Sequence, residues 1–271
     1  MALRLAALLT SFNRKPQTLA CLGALQSQGS PEREISIFLT DDGSTDGTAD
    51  AVLAAHPEAV VIHGDGQLYW AGGMALADQA ASRTDPDYFM WLNDDTILDP
   101  EALDVMFEIS DEHPGAIVVA ATRDPATSIL NYGGRLRLGA HPQKFRPAGE
   151  SDQVQEVDAF NGNCVLVPRA VRRRVGPIDG DFPHAYADDD YSLRADELGI
   201  KILQAPGTLA NCPSNPPGPR SGRFVPAWRD LQSPKGLPWR GQVRYLKRHG
   251  DWRWPFWLVA GQAKRVVRRR V

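Results

Sequence analysis

The chain has 271 residues, of which 42% are apolar and 23% are charged, and its formal net charge is -3. This length suits one large α/β domain or two small ones, and the composition excludes a wholly disordered or collagen-like chain. The weakly acidic balance excludes a protein whose whole surface binds nucleic acid, because that role needs a strongly basic domain.

Up to about residue 121, short apolar runs alternate with amphipathic segments, as in a parallel sheet covered by helices. Pro16 suits the first turn of a helix, Asp46 is a candidate cap for a helix that ends near Ala55, and a third helix starts at 99–101. The pattern predicts four βα units with strands at 3–9, 35–39, 60–63, 88–92 and 116–121.

The alternation stops after residue 121. Gly133-Gly134 and the polar stretch 141–158 indicate hairpins and loops. A strand at 164–167, a helix from near Pro168, a helix at 188–198 and a strand at 201–203 follow, and the proline-rich stretch 211–220 predicts a mobile loop. We therefore expect an α/β half (1–121), a mixed half of the same domain (122–215) and a carboxyl-terminal extension with a helical tail (216–271).

Polar clusters follow three of the predicted strands. Residues 10–14 follow the first strand, residues 41–47 follow the second, and Asn93-Asp94-Asp95 follow the fourth. Because open parallel sheets bind ligands beyond the carboxyl ends of their strands, we expect all three clusters to meet at one edge.

Two interpretations of these aspartates are open. Carboxylates that converge on one crevice repel each other, and a divalent cation would offset that repulsion. Mg²⁺ needs only one or two protein carboxylates when substrate phosphates complete its shell, so Asp95 and a diphosphate are sufficient. The alternative is that the acids cap helices and form turns. Gly72-Gly73 likewise either permits close helix packing or lets the backbone approach a ligand.

A second acidic cluster, Asp188-Asp189-Asp190, precedes a helical stretch. On a helix Asp188 and Asp190 point in different directions, so at most one of them faces a pocket. Acids in a first turn can compensate the helix dipole. One of them could instead act as a general base that removes a proton from an attacking hydroxyl.

The motifs TSFNR, TDDGSTDGT, WLNDDT, FNGNCVLVPR and FPHAYADDDYSLRA occur in one order and spacing. Together they resemble family-2 glycosyltransferases with the GT-A fold over most of residues 5–215, and LYWAGGM resembles the rhamnosyltransferase-like branch. The resemblance implies a mostly parallel central sheet flanked by helices, with a nucleotide-sugar-binding half and an acceptor-side half. It also implies transfer, with inversion, of a sugar from a UDP- or dTDP-sugar, with dTDP-rhamnose as one candidate, in cell-surface polysaccharide or glycoconjugate synthesis.

The resemblance assigns roles on the donor side. Thr10 and Phe12 match residues that flank the nucleotide base, Arg14 reaches phosphate, and Asp42, with Asp41 as the alternative, reads a pyrimidine ring.

Asn93-Asp94-Asp95 matches the DxD motif with asparagine in place of its first acid. In this match Asp94 lies near the ribose and diphosphate, and Asp95 binds Mg²⁺ or Mn²⁺.

On the acceptor side, Asp188 matches the catalytic base of inverting members and Asp190 the acid that follows it, while Ala187 replaces the usual glutamate. A retaining mechanism would need a different arrangement of carboxylates. The remaining residues expected to line the sugar and the acceptor are Trp70, Gly72, Gly73, Asn161 and Asn163.

The carboxyl-terminal segment 239–271 combines four tryptophans with ten Lys and Arg residues against one acid, Asp251. This composition suits an interfacial helix on anionic lipid at the cytoplasmic face of a membrane. A subunit interface in a homodimer, a capping helix and an electrostatic site for a phosphorylated acceptor are the alternatives.

The expected partners are a nucleotide-sugar donor and a saccharide or lipid-linked acceptor, with no nucleic acid. The three cysteines form no CxxC pair, which favours a reduced, cytoplasmic compartment. We expect the apolar run at 3–9 to be a buried strand rather than a signal peptide.

Two other functions compete with transfer. Sugar-nucleotide pyrophosphorylases share a similar core but carry a GxGTR-type loop where this chain has TSFNRKP. A non-catalytic nucleotide-sugar-binding protein would use its acids only as caps and would show no metal-dependent stabilisation by a nucleotide.

Overall fold

The structure is a computed structural model that describes residues 2–182, 185–214 and 238–270, with side chains up to residue 265. Most of the predicted proline-rich loop and residues 216–237 of the extension lie outside the described residues, as do Pro183 and His184.

The strands and helices alternate through the first half of the chain. The strands are β1 (Leu3–Ser11), β2 (Arg33–Asp41), β3 (Val60–His63), β4 (Tyr88–Leu92), β5 (Ile97–Leu98), β6 (Ile117–Val119), β7 (Thr122–Arg123), β8 (Leu130–Tyr132), β9 (Gly134–Arg137), β10 (Phe145–Pro147), β11 (Gln155–Val157), β12 (Ala159–Phe160), β13 (Cys164–Pro168), β14 (Ile202–Gln204) and β15 (Ala210–Asn211). The helices are α1 (Lys15–Gln26), α2 (Thr48–Ala55), α3 (Tyr69–Ser82), α4 (Ala102–Glu112), α5 (Arg169–Val175), α6 (Ala187–Glu197), α7 (Trp239–His249) and α8 (Trp254–Arg270).

A mixed eight-stranded sheet in the order β11-β14-β6-β13-β4-β1-β2-β3 forms the centre. The pairs β4-β1, β1-β2 and β2-β3 are parallel, and β13 lies antiparallel between β4 and β6. Strand β1 is buried on both faces, which explains its unbroken apolar run. The four predicted βα units are confirmed, and the second half of the chain contributes strands to the same sheet.

Two apolar clusters cover the two faces of this sheet. One contains Trp91, Phe160 and Tyr191, whose rings meet edge to face, and the other is built around Leu22 and Met106. The smaller sheets β10-β9-β12 and β5-β15-β7-β8 account for the predicted mixed region.

The start of α2 differs slightly from prediction. Gly47, with a left-handed φ of 78°, holds the capping position that we expected of Asp46, because glycine adopts this conformation at no steric cost. Asp46 instead accepts hydrogen bonds from the backbone N–H groups of Thr48 and Lys15, both at 3.0 Å, and so ties this loop to α1.

The carboxyl-terminal helices are part of the packed body. Tyr245 and Leu246 of α7 are fully buried, and the Tyr245 hydroxyl donates to the carbonyl of Pro142 at 2.7 Å. Helix α8 packs on α7 through the hydrogen bond from Gln262 to Gln242, at 2.8 Å. Among the helices of the described ranges, none has the length and apolar character needed to cross a bilayer.

Candidate active site

The three polar clusters meet at the carboxyl edge of the sheet. The loops after β1 and β2 are joined because the backbone N–H of Asn13 donates to Ser44 Oγ and the backbone N–H of Thr45 donates to Asn13 Oδ1, both at 2.8 Å. Arg14 then reaches the loop after β4. Its Nη1 lies 3.1 Å from Asp94 Oδ1 and 2.5 Å from Asp95 Oδ2.

One guanidinium therefore faces two carboxylates, and Asp94 is the more deeply enclosed of the two. Burial raises the pKa of Asp94 to about 6 even though the charge of Arg14 opposes that rise. Asp94 Oδ2 is buried and has no hydrogen-bond partner among the described residues. Because such an atom is costly to leave unpaired, this oxygen fits a ligand that arrives with a cation or a donor.

This carboxylate pair fits a metal ion that is shared with the substrate. In the described part of the chain, no group of three or more His, Cys, Asp or Glu side chains is arranged to hold a metal by itself. Mg²⁺ does not need such a cage, since one or two carboxylates with substrate phosphates complete its shell. Asp94 and Asp95 meet that requirement.

Cys212 is a neighbour of this pair that the sequence did not indicate. Its thiol lies 3.5 Å from Asp95 Oδ1 and accepts a hydrogen bond from the side-chain amide of Asn163 at 3.3 Å. The contact arises because β15, which precedes Cys212, pairs with β5 directly after the acidic triplet. No sequence spacing reveals that pairing.

The residues expected around the nucleotide base occupy different environments. Phe12 is 51% exposed, so its ring can stack on a base, and Thr10 is partly buried beside Gly73. Asp42 is buried and accepts hydrogen bonds from the backbone N–H groups of Gly66, Leu68 and Tyr69 at 2.9, 3.2 and 2.9 Å. It therefore holds the loop before α3 in place.

Asp41 has fewer such bonds. It is also buried, and it accepts one from the backbone N–H of Ser44 at 3.2 Å.

Asn93 connects the acidic pair to the predicted sugar side. Its side-chain oxygen accepts a hydrogen bond from Trp70 Nε1 at 2.8 Å, and its backbone N–H donates to the carbonyl of Asn163 at 3.0 Å. A Cβ atom at Gly162 would lie 2.6 Å from the Trp70 ring, so the indole packs directly on that glycine. The backbone N–H of Gly162 faces Asp188 Oδ2 at 3.4 Å. The loop that carries Asp94 and Asp95 is therefore connected to Asp188 through Asn93, Trp70 and Gly162.

The three acids at the start of α6 have three different environments. Asp188 is half-buried and faces the loop after β12 through Gly162. Asp189 pairs with Arg135 of β9, and burial raises its pKa. Arg135 also donates to the carbonyl of Phe160 at 2.7 Å, so it is a structural partner that the sequence did not single out.

Asp190 is fully buried and is surrounded by three basic side chains. Arg194 Nε, Arg248 Nη1 and His249 Nε2 lie 2.8, 2.6 and 2.9 Å from its carboxylate. Burial alone would raise its pKa, but the hydrogen bond from His249 and the charges of Arg194 and Arg248 outweigh burial and lower the pKa of Asp190 to about 2. In the structure Asp190 is thus the centre of an ion-pair cluster between α6 and α7, and its place on the acceptor side stays a prediction.

The glycine pair is explained mainly by packing. A Cβ atom at Gly73 would lie 2.1 Å from Thr10 Oγ1, and the Gly73 carbonyl accepts a hydrogen bond from Thr40 Oγ1 at 2.8 Å. Gly72 is also buried, with Leu68 beside it. Asn161, the remaining predicted residue, is partly buried and donates its backbone N–H to Gly133 at 2.9 Å.

The sequence matches a known family. The family model described as Glycosyl transferase family 2 matches residues 7–174. The N-acetylglucosaminyl-diphospho-decaprenol L-rhamnosyltransferase of Mycobacterium tuberculosis (strain ATCC 25618 / H37Rv) is 24% identical over 200 residues, and the same protein of strain CDC 1551 / Oshkosh gives the same match. The match covers 65% of this chain and 65% of the relative's length.

Solved structures of similar fold include one from Pyrobaculum calidifontis and one from S. aureus. The mannosyltransferase PcManGT from Pyrobaculum calidifontis in complex with GDP-Man and Mn²⁺ has a TM-score of 0.56 at 16% identity, over 99% of this chain and 73% of that chain. S. aureus TarS 1-349 in complex with UDP-GlcNAc has a TM-score of 0.56 at 15% identity, over 89% and 67%. The predicted GT-A type of α/β fold is confirmed.

Proposed function

Since the chain belongs to glycosyl transferase family 2, we propose that it is an inverting enzyme that moves a sugar from a UDP- or dTDP-sugar to an acceptor hydroxyl. The observation that carries the proposal is the line of contacts from Arg14, Asp94 and Asp95 through Asn93 and Trp70 to Asp188. It supports the proposal because it connects the candidate diphosphate-binding residues to the candidate base.

Each residue on the donor side of the proposed site has a defined task. The exposed ring of Phe12 stacks on the base, with Asp41 or Asp42 as its reader, and Arg14 donates hydrogen bonds to the diphosphate. Asp94 and Asp95 would hold Mg²⁺ or Mn²⁺, which supplies positive charge at the leaving diphosphate.

Asp188 completes the reaction on the other side of the sugar. It removes the proton of the acceptor hydroxyl while that oxygen bonds to the anomeric carbon and the bond to the diphosphate breaks. Because attack and departure occur on opposite faces, the configuration at the anomeric carbon inverts. Asp188 is suited to this task because it is the acid of the cluster that is neither fully enclosed nor paired with an arginine in the described residues.

The curated relative supports a lipid-linked acceptor. The name of that mycobacterial enzyme gives a diphospho-decaprenol acceptor and a rhamnosyl group, so dTDP-rhamnose and a polyprenyl-diphosphate saccharide are the first donor and acceptor to test. Such an acceptor is made for cell-surface polysaccharide or glycoconjugate synthesis, and it would place this chain in the cytoplasm at the membrane face.

Two variants test the division of labour by isothermal titration with UDP and dTDP, with and without Mn²⁺. Asp95→Asn should abolish the metal-dependent part of nucleotide binding. Asp188→Asn should retain that binding and lose transfer by about 10²- to 10⁴-fold. Asp111→Asn, on the exposed face of α4, is the matched control. Equal loss of nucleotide binding in the Asp95 and Asp188 variants contradicts the assignment of Asp95 to the metal and Asp188 to the acceptor proton. If Mn²⁺ and nucleotide fail to stabilise the wild-type protein, the protein is a scaffold rather than an enzyme.

A further inference from the structure

The outer face of α8 is an exposed apolar stripe. Phe256 and Val259 are 70% and 69% exposed, and Ala260 and Ala263 lie exposed beside them. These four residues follow the i, i+3, i+4, i+7 spacing that aligns side chains on one helix face. Trp252, in the turn before the helix, is 79% exposed and adds to the apolar surface.

The opposite face of α8 is already used. Trp254, Trp257 and Leu258 pack against the core cluster, the Trp257 ring stacks on His141 at 4.6 Å, and Gln262 is held by Gln242. The helix is therefore fixed by its inner face. Its outer stripe cannot be buried by rotation of the helix, and it needs a partner from outside the described chain.

The carboxyl-terminal segment that carries the stripe is rich in positive charge, with ten Lys and Arg residues against one acid over 239–271. Lys264 is exposed on the helix itself, and the sequence continues with Arg268, Arg269 and Arg270. Arg244 and Arg248 of α7 are occupied by ion pairs with Asp179 and Asp190, so they do not contribute freely to this surface.

We propose that the outer face of α8, defined by Trp252, Phe256, Val259, Ala260 and Ala263, docks in the plane of an anionic lipid bilayer. A bilayer supplies both an apolar layer for the stripe and negative headgroups for the flanking cations. A symmetric contact between two copies would bring the same basic surfaces together, and like charges oppose that association.

The docked face is connected to the candidate active site. Helix α8 packs on α7, and α7 holds α6 through the contacts of Arg248 and His249 with Asp190, two residues from Asp188. Docking would keep α6 near the headgroups, where a lipid-linked acceptor presents its saccharide. This link to the acceptor rests on the proposed function, whereas the docking itself is measured without donor or acceptor.

Co-sedimentation of the full chain with vesicles tests the proposal, using phosphatidylcholine alone and phosphatidylcholine mixed with phosphatidylglycerol. Wild-type protein should bind only the anionic vesicles. Phe256→Ser with Val259→Ser should weaken that binding at least about ten-fold, and Lys264→Gln should weaken it about five-fold. Ile129→Ser is the matched control, because Ile129 is also an exposed apolar residue, 67% exposed in the loop before β8 and outside the α8 stripe, and the substitution should leave binding unchanged.

Two results would overturn the docking. One is a double variant that binds anionic vesicles as well as wild type does. The other is a wild-type dimer in sedimentation velocity that the double variant dissociates, with no lipid binding by either protein, which would make the stripe a subunit interface. Nucleotide binding by the double variant, measured by titration calorimetry, should equal that of wild type, so a failure of docking is distinguishable from a failure of the proposed reaction.

Discussion

Two buried aspartates, Asp94 and Asp190, should respond to the same substitution with opposite changes in stability. Asp94 is enclosed with one unpartnered oxygen, and burial raises its pKa to about 6. Asp190 is also enclosed, but His249, Arg194 and Arg248 lower its pKa to about 2 in spite of burial. We therefore predict that Asp94→Asn stabilises the ligand-free protein at neutral pH and that Asp190→Asn destabilises it.

The sign and size follow from proton linkage. Between about pH 4 and pH 6 the folded state keeps the proton of Asp94 that the unfolded state has released, so the free energy of unfolding falls as the pH rises through that window. From the ordinary value of 3.8 to about 6, at about 1.4 kcal/mol for each pH unit, the penalty is about 3 kcal/mol and is complete above about pH 6. Asp94→Asn removes this penalty.

For Asp190 the pH window lies lower, and ionisation of its carboxyl stabilises the folded state instead of destabilising it. Its contribution of about 2 kcal/mol is present above about pH 4 and is lost as the pH falls towards about 2. Asp190→Asn removes that contribution, so the loss of stability at neutral pH should be about 2 kcal/mol.

Urea denaturation of metal-free protein at several values between about pH 4 and pH 8 measures both effects. The increase in the free energy of unfolding caused by Asp94→Asn should be largest above about pH 6 and should fade towards about pH 4. A gain that is independent of pH, or a loss of stability in Asp94→Asn at neutral pH, refutes the account of a strained carboxylate at this site.

Three further predictions concern other contacts. Arg14→Gln removes the charge that lowers the pKa of Asp94, so the pH midpoint of Mn²⁺-dependent nucleotide binding, measured by calorimetry, should rise, while Arg14→Lys should restore it. Gly73→Ala should destabilise the fold by about 1–3 kcal/mol because its Cβ meets Thr10, whereas Gly23→Ala in α1, with open space around it, should stabilise by about 0.5–1 kcal/mol in the same denaturation assay. Tyr245→Phe should cost about 1–3 kcal/mol in that assay, because it leaves the buried carbonyl of Pro142 unpaired.

Much of the fold could be predicted because the signals are local. Strands β3 and β4 have the predicted bounds, since each is a short apolar run that ends at polar residues. The sequence also predicted that the loop with Arg14 and the loop with Asp94 and Asp95 meet, because parallel strands bring their carboxyl ends to one edge, but it did not predict the ion pairs between them.

The roles that depend on remote partners could not be predicted. Asp42 holds the backbone before α3, which lies some distance along the chain, and nothing in DDGSTDG indicates those N–H donors. Asp190 is enclosed by Arg248 and His249, which belong to a helix that composition alone had grouped with a basic tail. For both Asp42 and Asp190 the sequence shows a carboxylate, but the structural role of that carboxylate depends on partners that are distant in the sequence.

The asparagine at position 93 fits the same balance of charge. The cluster has two carboxylates and one guanidinium in contact with them, and Asp94 already has a raised pKa. A third carboxylate at position 93 would add repulsion next to Asp94. An amide keeps the one function that the position performs, since its oxygen accepts the Trp70 Nε1–H bond at 2.8 Å. Asparagine thus connects the acidic pair to Trp70 without further negative charge.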